Sequence, residues 1–160
     1  MLKTIRVLVF GIFGLAMSQP AAAQAIDTSK FFFGGGLSSN EISSYDSAVG
    51  WQFFGGYSFG EVFRNVVFDA EVGYMDSGDM KRAGAPDFSA SGLWATGVGR
   101  FILTPSIELL ARAGLDFGDD DGFMAGIGVG FNLTKSFKLR LEFVQRENVD
   151  SIQFNLVYQP

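Results

Sequence analysis

Acidic and basic residues at every second position are the part of this sequence best suited to chemistry. Carboxylates spaced in this way could act as general acid and base, or form ion pairs with nearby cations. We interpret them as a structural ion-pair network, because nothing in the spacing distinguishes a catalytic pair. The nine charged residues that we assign to one inner face are Asp69, Glu71, Arg100, Glu108, Arg112, Asp116, Lys138, Arg140 and Glu142.

The absence of two residue types limits the chemistry further. The sequence contains no histidine, the commonest general base and transition-metal ligand, and no cysteine for disulfides or thiolate metal sites. We therefore predict a protein that is not an enzyme and has no cofactor. Asp119, Asp120 and Asp121 could attract a hard cation such as Ca²⁺. A polar turn is the favoured interpretation, so we predict no metal site.

Two further kinds of binding are excluded by composition and spacing. Glycines at 126, 128 and 130 lack the spacing of a phosphate-binding loop and lead to no helix. The chain has 17 acidic and 12 basic residues, a formal net charge of −5, and no basic patch. Nucleic acid is therefore not an expected partner.

The segment 107–117, IELLARAGLDF, indicates which elements carry these charges. Its odd positions are all apolar, and its even positions include Glu108, Arg112 and Asp116. A period of two is typical of a strand with one apolar and one polar face. The charges are also spaced i, i+4, as on a helix. The neighbouring glycine-rich segment disfavours helix, so we predict strand.

The same alternation appears throughout the chain, separated by turn-like stretches. The fourth segment has the least certain phase: turning Arg100 inward also turns Trp94 and Val98 inward. The eight predicted strands are 30–37, 49–59, 66–75, 89–103, 107–117, 122–133, 137–145 and 151–158.

The N-terminus is predicted to be a signal peptide. Lys3 and Arg6 precede an apolar stretch at 7–17, and small residues allow cleavage after Ala23 or Ala25. A retained membrane anchor is less favoured, because a spanning helix needs about 20 apolar residues. We predict a signal peptide at 1–25 and one domain at 26–160, whose 17 acidic and 10 basic residues give a formal charge of −7.

The charged face decides which side of the predicted sheet is inside. An eight-stranded barrel has an interior that side chains fill or that holds one small ligand. Most of the Phe, Trp, Tyr, Leu and Ile side chains would crowd such an interior, whereas lipid would accommodate them outside. We therefore predict an all-β, eight-stranded antiparallel up-and-down transmembrane barrel with a polar lumen. A soluble periplasmic ligand-binding barrel is the weaker alternative.

Connections and aromatic residues fit a membrane protein. The two longest predicted connections, 38–48 and 76–88, lie on one side and are candidate contacts for a surface partner, whereas the opposite side has short turns. Lys81 and Arg82 could meet lipopolysaccharide phosphates, although a solvated loop is favoured. Predicted aromatic belts are Phe59, Phe101, Phe131, Phe137 and Tyr158 at the turn side, and Trp51, Tyr74, Phe117, Phe123 and Phe143 at the loop side.

Together, the leader, the eight alternating segments, the inner charges and the closing SIQFNLVYQ resemble the small OmpA/OmpX-type outer-membrane barrels over residues 28–158. The resemblance implies the outer membrane of a Gram-negative bacterium, with lipid and lipopolysaccharide around a monomer. Phe154, Leu156 and Tyr158 resemble the family's signal for the barrel-assembly machinery. Gln159 and Pro160 depart from it, since the family typically ends on the aromatic residue.

For function, we expect a side-chain-plugged barrel with a role in envelope structure, surface interaction or adhesion through its outer loops. A narrow porin-like channel for small solutes is the alternative.

Overall fold

A computed structural model describes residues 27–160. The predicted signal peptide and its cleavage sites lie outside this range. None of the helices among these residues is long and apolar enough to cross a membrane. The described elements are a 3₁₀ helix at Thr28–Lys30 and strands β1 Phe31–Glu41, β2 Ala48–Phe63, β3 Val66–Asp76, β4 Ser91–Thr104, β5 Ile107–Gly118, β6 Gly122–Asn132, β7 Phe137–Gln145 and β8 Asp150–Tyr158.

The eight strands form a closed ring. Each strand pairs antiparallel with its neighbours in sequence, and β1 pairs with β8 from Phe33 opposite Tyr158 to Glu41 opposite Asp150. Closure gives every strand a partner on both sides, so no open edge remains. The predicted eight-stranded up-and-down barrel is confirmed.

Side chains alternate between the two faces of the ring. Along β5, Leu109 and Leu115 are exposed on the outside, whereas Glu108 and Arg112 are buried inside. The helical alternative for this segment is therefore wrong. The outer face is apolar over most strands, which is the inverse of a water-soluble protein and suits contact with lipid.

The fourth strand has the phase that turns Arg100 inward. Trp94, Val98 and Arg100 are all buried in the lumen, and Leu93 faces outward. The Trp94 ring packs against Phe54 with centroids 5.7 Å apart. The interior thus has aromatic as well as charged side chains.

Inward-facing glycines make room for the large side chains of neighbouring strands. In each case the paired residue on the next strand would come within 3.2 Å of a Cβ added at the glycine. The pairs are Phe32 with Gly56, Phe54 with Gly34, Trp94 with Gly73, Glu108 with Gly130, Arg112 with Gly126, and Glu142 with Gly128. The glycines of the 126–130 run therefore accommodate three charged side chains of β5 and β7.

Two predicted connections are wrong at their boundaries. The 38–48 connection is shorter, because residues 38–41 continue β1 and the loop spans only 42–47. Ser38 and Asn40 face the lumen there and are joined by a 2.9 Å hydrogen bond. Polar contacts therefore stabilise this part of the strand, and a prediction based on alternating apolar residues does not detect it. The turn 60–65, which lies between the predicted strands 49–59 and 66–75, is also shorter. Gly60, with φ of 83°, lies at a β-bulge in β2, and the turn itself is 64–65.

The loop side retains one long connection, 77–90, whereas 119–121 has only three residues. The length asymmetry between the two ends therefore depends mainly on that single loop.

The residues of both predicted aromatic belts lie on the outer face. All are exposed except Tyr74, which is partly buried. Tyr74 lies 5.8 Å from the Trp51 ring and 5.9 Å from the Phe53 ring, which explains its lower exposure. At the opposite end, the rings of Phe137 and Tyr158 are 5.2 Å apart.

Alanine at Gly128 should destabilise the barrel by about 1–3 kcal/mol, as overpacking does elsewhere. The added Cβ would lie 2.6 Å from the Leu141 carbonyl oxygen and 2.7 Å from Glu142 Cγ. The matched control is Gly99→Ala on the outer face, where the nearest atom is 4.0 Å away. Urea unfolding in lipid vesicles should distinguish the two variants, and an equal loss in both would contradict this account of the inner glycines.

Candidate functional site: the charged lumen

All nine charged residues predicted to face inward do so. Eight are buried, and the Lys138 side chain is 14% exposed. They come from four strands, β3, β4, β5 and β7, because the period of two places alternate residues of each strand on the inner surface. The ion pairs among eight of them form a central group and a turn-end group, and Asp116 pairs at the loop end with a further cation, Arg146.

The central group joins opposite walls of the barrel. Glu71 on β3 accepts from Arg140 on β7 at 2.5 Å and from Arg112 on β5 at 3.1 Å. Arg112 also bonds to Glu142 on β7, with Nη2 and Oε2 2.7 Å apart. β3 and β7 are four strands apart in a ring of eight, so these side chains extend across the full interior.

The turn-end group surrounds Arg100. Its guanidinium donates to Asp69 at 2.5 Å and to Glu108 at 2.9 Å. Lys138 Nζ lies 2.6 Å from the other oxygen of Glu108. Arg140 is 3.9 Å from Asp69 and so links this group to the central one.

Aromatic rings line the central cations. Arg112 lies 5.4 Å from the Trp94 ring centroid, and Arg140 lies 5.5 Å from Phe32 and 5.9 Å from Phe54. The ring faces supply further attraction for cations that the barrel has removed from water. Removing one partner of such a buried pair leaves an uncompensated charge, so the stability of each charged residue depends on the presence of its partners.

Uncharged amides extend the network to the remaining wall. Gln52 Nε2 donates to Gln153 and to Asn155, both at 2.8 Å, and Asn155 donates to Glu142 at 3.3 Å. Our sequence prediction missed these residues because it used charge alone. They occupy the same alternating phase on β2 and β8, which is a signal that could have found them.

Arg146 is a buried charge that the prediction assigned to a connection. Its Nε lies 2.6 Å from Asp116, and Nη1 donates to Ser151 at 2.9 Å. Burial lowers the pKa of Arg146 from its ordinary value, while the Asp116 carboxylate opposes that shift. Arg146 continues the spacing of Lys138, Arg140, Glu142 and Val144 beyond the end of β7. With it, the inner set within 27–160 has five carboxylates and five cations.

The loops pack together over the loop end of the barrel. Met80, Ala90 and Val149 are buried against partly buried side chains that include Tyr45 and Phe88. Asp120 fixes this packing, because its carboxylate accepts from the backbone of Asn148 at 3.0 Å and of Val149 at 3.1 Å.

The acidic run 119–121 thus holds the neighbouring loop through Asp120. Within residues 27–160, no group of three or more His, Cys, Asp or Glu side chains is placed to hold a metal ion.

Comparison with known proteins identifies this architecture. A family model described as "Outer membrane protein beta-barrel domain" matches residues 10–159. A search of curated proteins found no match.

Three solved structures show the same fold at low sequence identity. A de novo designed transmembrane β-barrel is 16% identical, covers 80% of this chain and 92% of its own, and has a TM-score of 0.56. Ail of Yersinia pestis, in a phospholipid nanodisc, is 11% identical with a TM-score of 0.54; the match covers 80% of this chain and 97% of the Ail chain. The outer membrane enzyme PagL is 10% identical with a TM-score of 0.52; the match covers 79% of this chain and 98% of the PagL chain.

Arg112→Ala should destabilise the barrel by about 3–5 kcal/mol, because it leaves Glu71 and Glu142 short of a cation in a desolvated interior. Arg64→Ala, in the exposed turn 64–65, is the matched control and should stay within about 0.5 kcal/mol of wild type. Denaturant unfolding in vesicles measures both. Unchanged stability of Arg112→Ala would mean that Arg112 is solvated rather than paired.

Proposed function

This chain belongs to the outer-membrane β-barrel family, and on that premise we propose a non-enzymatic protein with a plugged lumen. Its outer loops would support envelope structure or contact partners at the cell surface. The soluble periplasmic alternative is wrong, because family members lie in the outer membrane and the exterior of this barrel is apolar.

The ion pair between Arg140 and Glu71 is the observation that most supports a plugged lumen. It joins strands on opposite walls, and Arg112 connects both walls to β5. The Phe32, Phe54 and Trp94 rings occupy further interior space. A permeating solute would have to separate buried ion pairs, each of which is costly to break. A narrow channel therefore stays the alternative to be tested.

The composition supports a role without catalysis. The full sequence has no histidine and no cysteine, so an acid–base or nucleophilic mechanism would have to depend on carboxylates, lysines or hydroxyls. The central carboxylates, Glu71 and Glu142, each bond to a cation. PagL is an enzyme with this fold, but a likeness at 10% identity concerns the fold alone.

The outer end is the candidate surface for a partner. Short turns of such barrels face the periplasm and longer loops face outward, which supports assigning the loop 77–90 to the cell surface. The loop end carries eleven acidic and three basic residues: Glu41, Asp46, Asp76, Asp79, Asp87, Asp116, Asp119, Asp120, Asp121, Glu147 and Asp150, against Lys81, Arg82 and Arg146.

This acidic end favours a cationic or neutral partner over a polyanion. Ail of Yersinia pestis has been solved with the heparin analogue sucrose octasulfate. We expect no comparable binding here, since like charges repel across an interface. Lys81 and Arg82 are exposed and stay candidates for contacts with lipopolysaccharide phosphates. We further propose that the protein is monomeric and that β8 serves as its signal to the barrel-assembly machinery.

Pure protein in planar lipid bilayers should give no steady single-channel currents, because the ion pairs cross the lumen. A known porin reconstituted in the same way is the positive control, and a protein-free preparation is the negative one. Steady currents of uniform amplitude would contradict the plugged lumen and favour the channel.

Protein in nanodiscs should pass through immobilised heparin and be retained by immobilised poly-lysine at about physiological ionic strength. An Asp79→Asn, Asp87→Asn double variant in the exposed loop should elute from poly-lysine at lower salt. Glu61→Gln, at the turn end, is the matched control and should elute with wild type. Two results would contradict the proposal that the acidic loop end is the binding surface. One is retention by heparin, and the other is a Glu61→Gln variant that elutes from poly-lysine at the same lowered salt as the double variant.

A further inference from the structure

A cavity of 470 Å³ lies at the turn end of the barrel interior, opposite the loops. Its volume falls in the range typical of sites for small organic molecules and far exceeds that of an inorganic ion. The charged residues that line it are Asp69, Arg100, Glu108, Lys135, Lys138 and Arg140.

The inner limit of this cavity is the central network. Arg140 lines the cavity and bonds to Glu71, while the Phe32 and Phe54 rings lie close to its guanidinium. The loops pack together at the far end of the barrel. The cavity therefore faces the turns, the side that lies toward the periplasm in barrels of this type.

Cations outnumber carboxylates around the cavity. Four of the six charged residues are basic, in a chain whose formal net charge is −5. The two carboxylates are already engaged, Asp69 with Arg100 and Glu108 with both Arg100 and Lys138. Arg140 is balanced by Glu71 at 2.5 Å, so among the cations that line the cavity only Lys135 has no carboxylate partner within residues 27–160. A cation at the mouth of a partly enclosed space attracts anions more strongly than one at an open surface, because its field is less screened.

Two lysines have donors available for a ligand. Lys138 Nζ has three N–H groups, and the contact with Glu108 accounts for one of them. Lys135 is exposed in the turn 133–136 and forms no ion pair with any residue from 27 to 160. The Thr134 hydroxyl accepts from the backbone of Ser136 at 3.2 Å and of Phe137 at 3.0 Å, so the turn that carries Lys135 has a defined shape.

We propose that this cavity binds a small organic anion from the periplasm, a carboxylate or a phosphate ester. Lys135 and Lys138 contact its anionic group, and the buried Phe32 ring lies alongside its apolar part. The site lies at the opposite end from the surface proposed to meet outer partners and does not depend on that surface.

The test uses residues 26–160 folded in detergent micelles, with succinate and glycerol 3-phosphate as probes and glycerol as the uncharged comparison. Isothermal titration at constant ionic strength should show saturable binding of at least one anion and none of glycerol. Lys135→Gln should weaken that binding about tenfold, because it removes a charge-assisted contact. Arg64→Gln, a turn-end cation that does not line the cavity, should change affinity less than twofold.

A second variant tests the deeper ligand. Lys138→Gln should also weaken binding about tenfold, and heat-modifiable gel migration establishes that it is folded. If Lys138→Gln fails to fold, the affinity of the Lys135→Gln variant, whose substitution is at an exposed position, still tests the proposal. The proposal is overturned if neither anion binds, if glycerol binds equally well, or if Arg64→Gln weakens binding as much as Lys135→Gln.

Discussion

The Glu71 carboxylate, held between Arg112 and Arg140, joins three strands across the interior of the barrel. These charges are removed from water, so each needs its partners to remain stable. The partners lie on different strands, which means that the network can form only once the ring has closed. The same closure gives the strands their backbone partners and turns the apolar residues outward, where lipid can cover them.

Space for this network comes from the strands themselves. Large inner side chains lie over glycines of the adjacent strand, as Glu142 lies over Gly128. A glycine run that superficially resembles a phosphate-binding loop is thus a packing device within β6. Large side chains on one strand lie opposite glycines on the next, and this arrangement lets a narrow barrel hold both charged and aromatic side chains in its interior.

The two ends of the barrel differ in charge and in closure. At the outer end, which is strongly acidic, the loops pack together, and the Asp120 carboxylate accepts a hydrogen bond from the backbone of Asn148 in the neighbouring loop. The turn end contains a cavity where basic side chains prevail, with Lys135 at its rim. Linked ion pairs join opposite walls of the barrel between these ends. We accordingly propose binding at each end rather than passage of a solute between them.

The sequence by itself determined the strands, their faces and the closed barrel, because a period of two is local and each strand repeats it. It also placed the nine charges inside. Only the tertiary structure decided which charges meet, since Arg140 and Glu71 are brought together by ring closure. It likewise extended β1 through Asn40 and drew Arg146 inward, because polar contacts between strands, rather than apolar alternation, hold those residues.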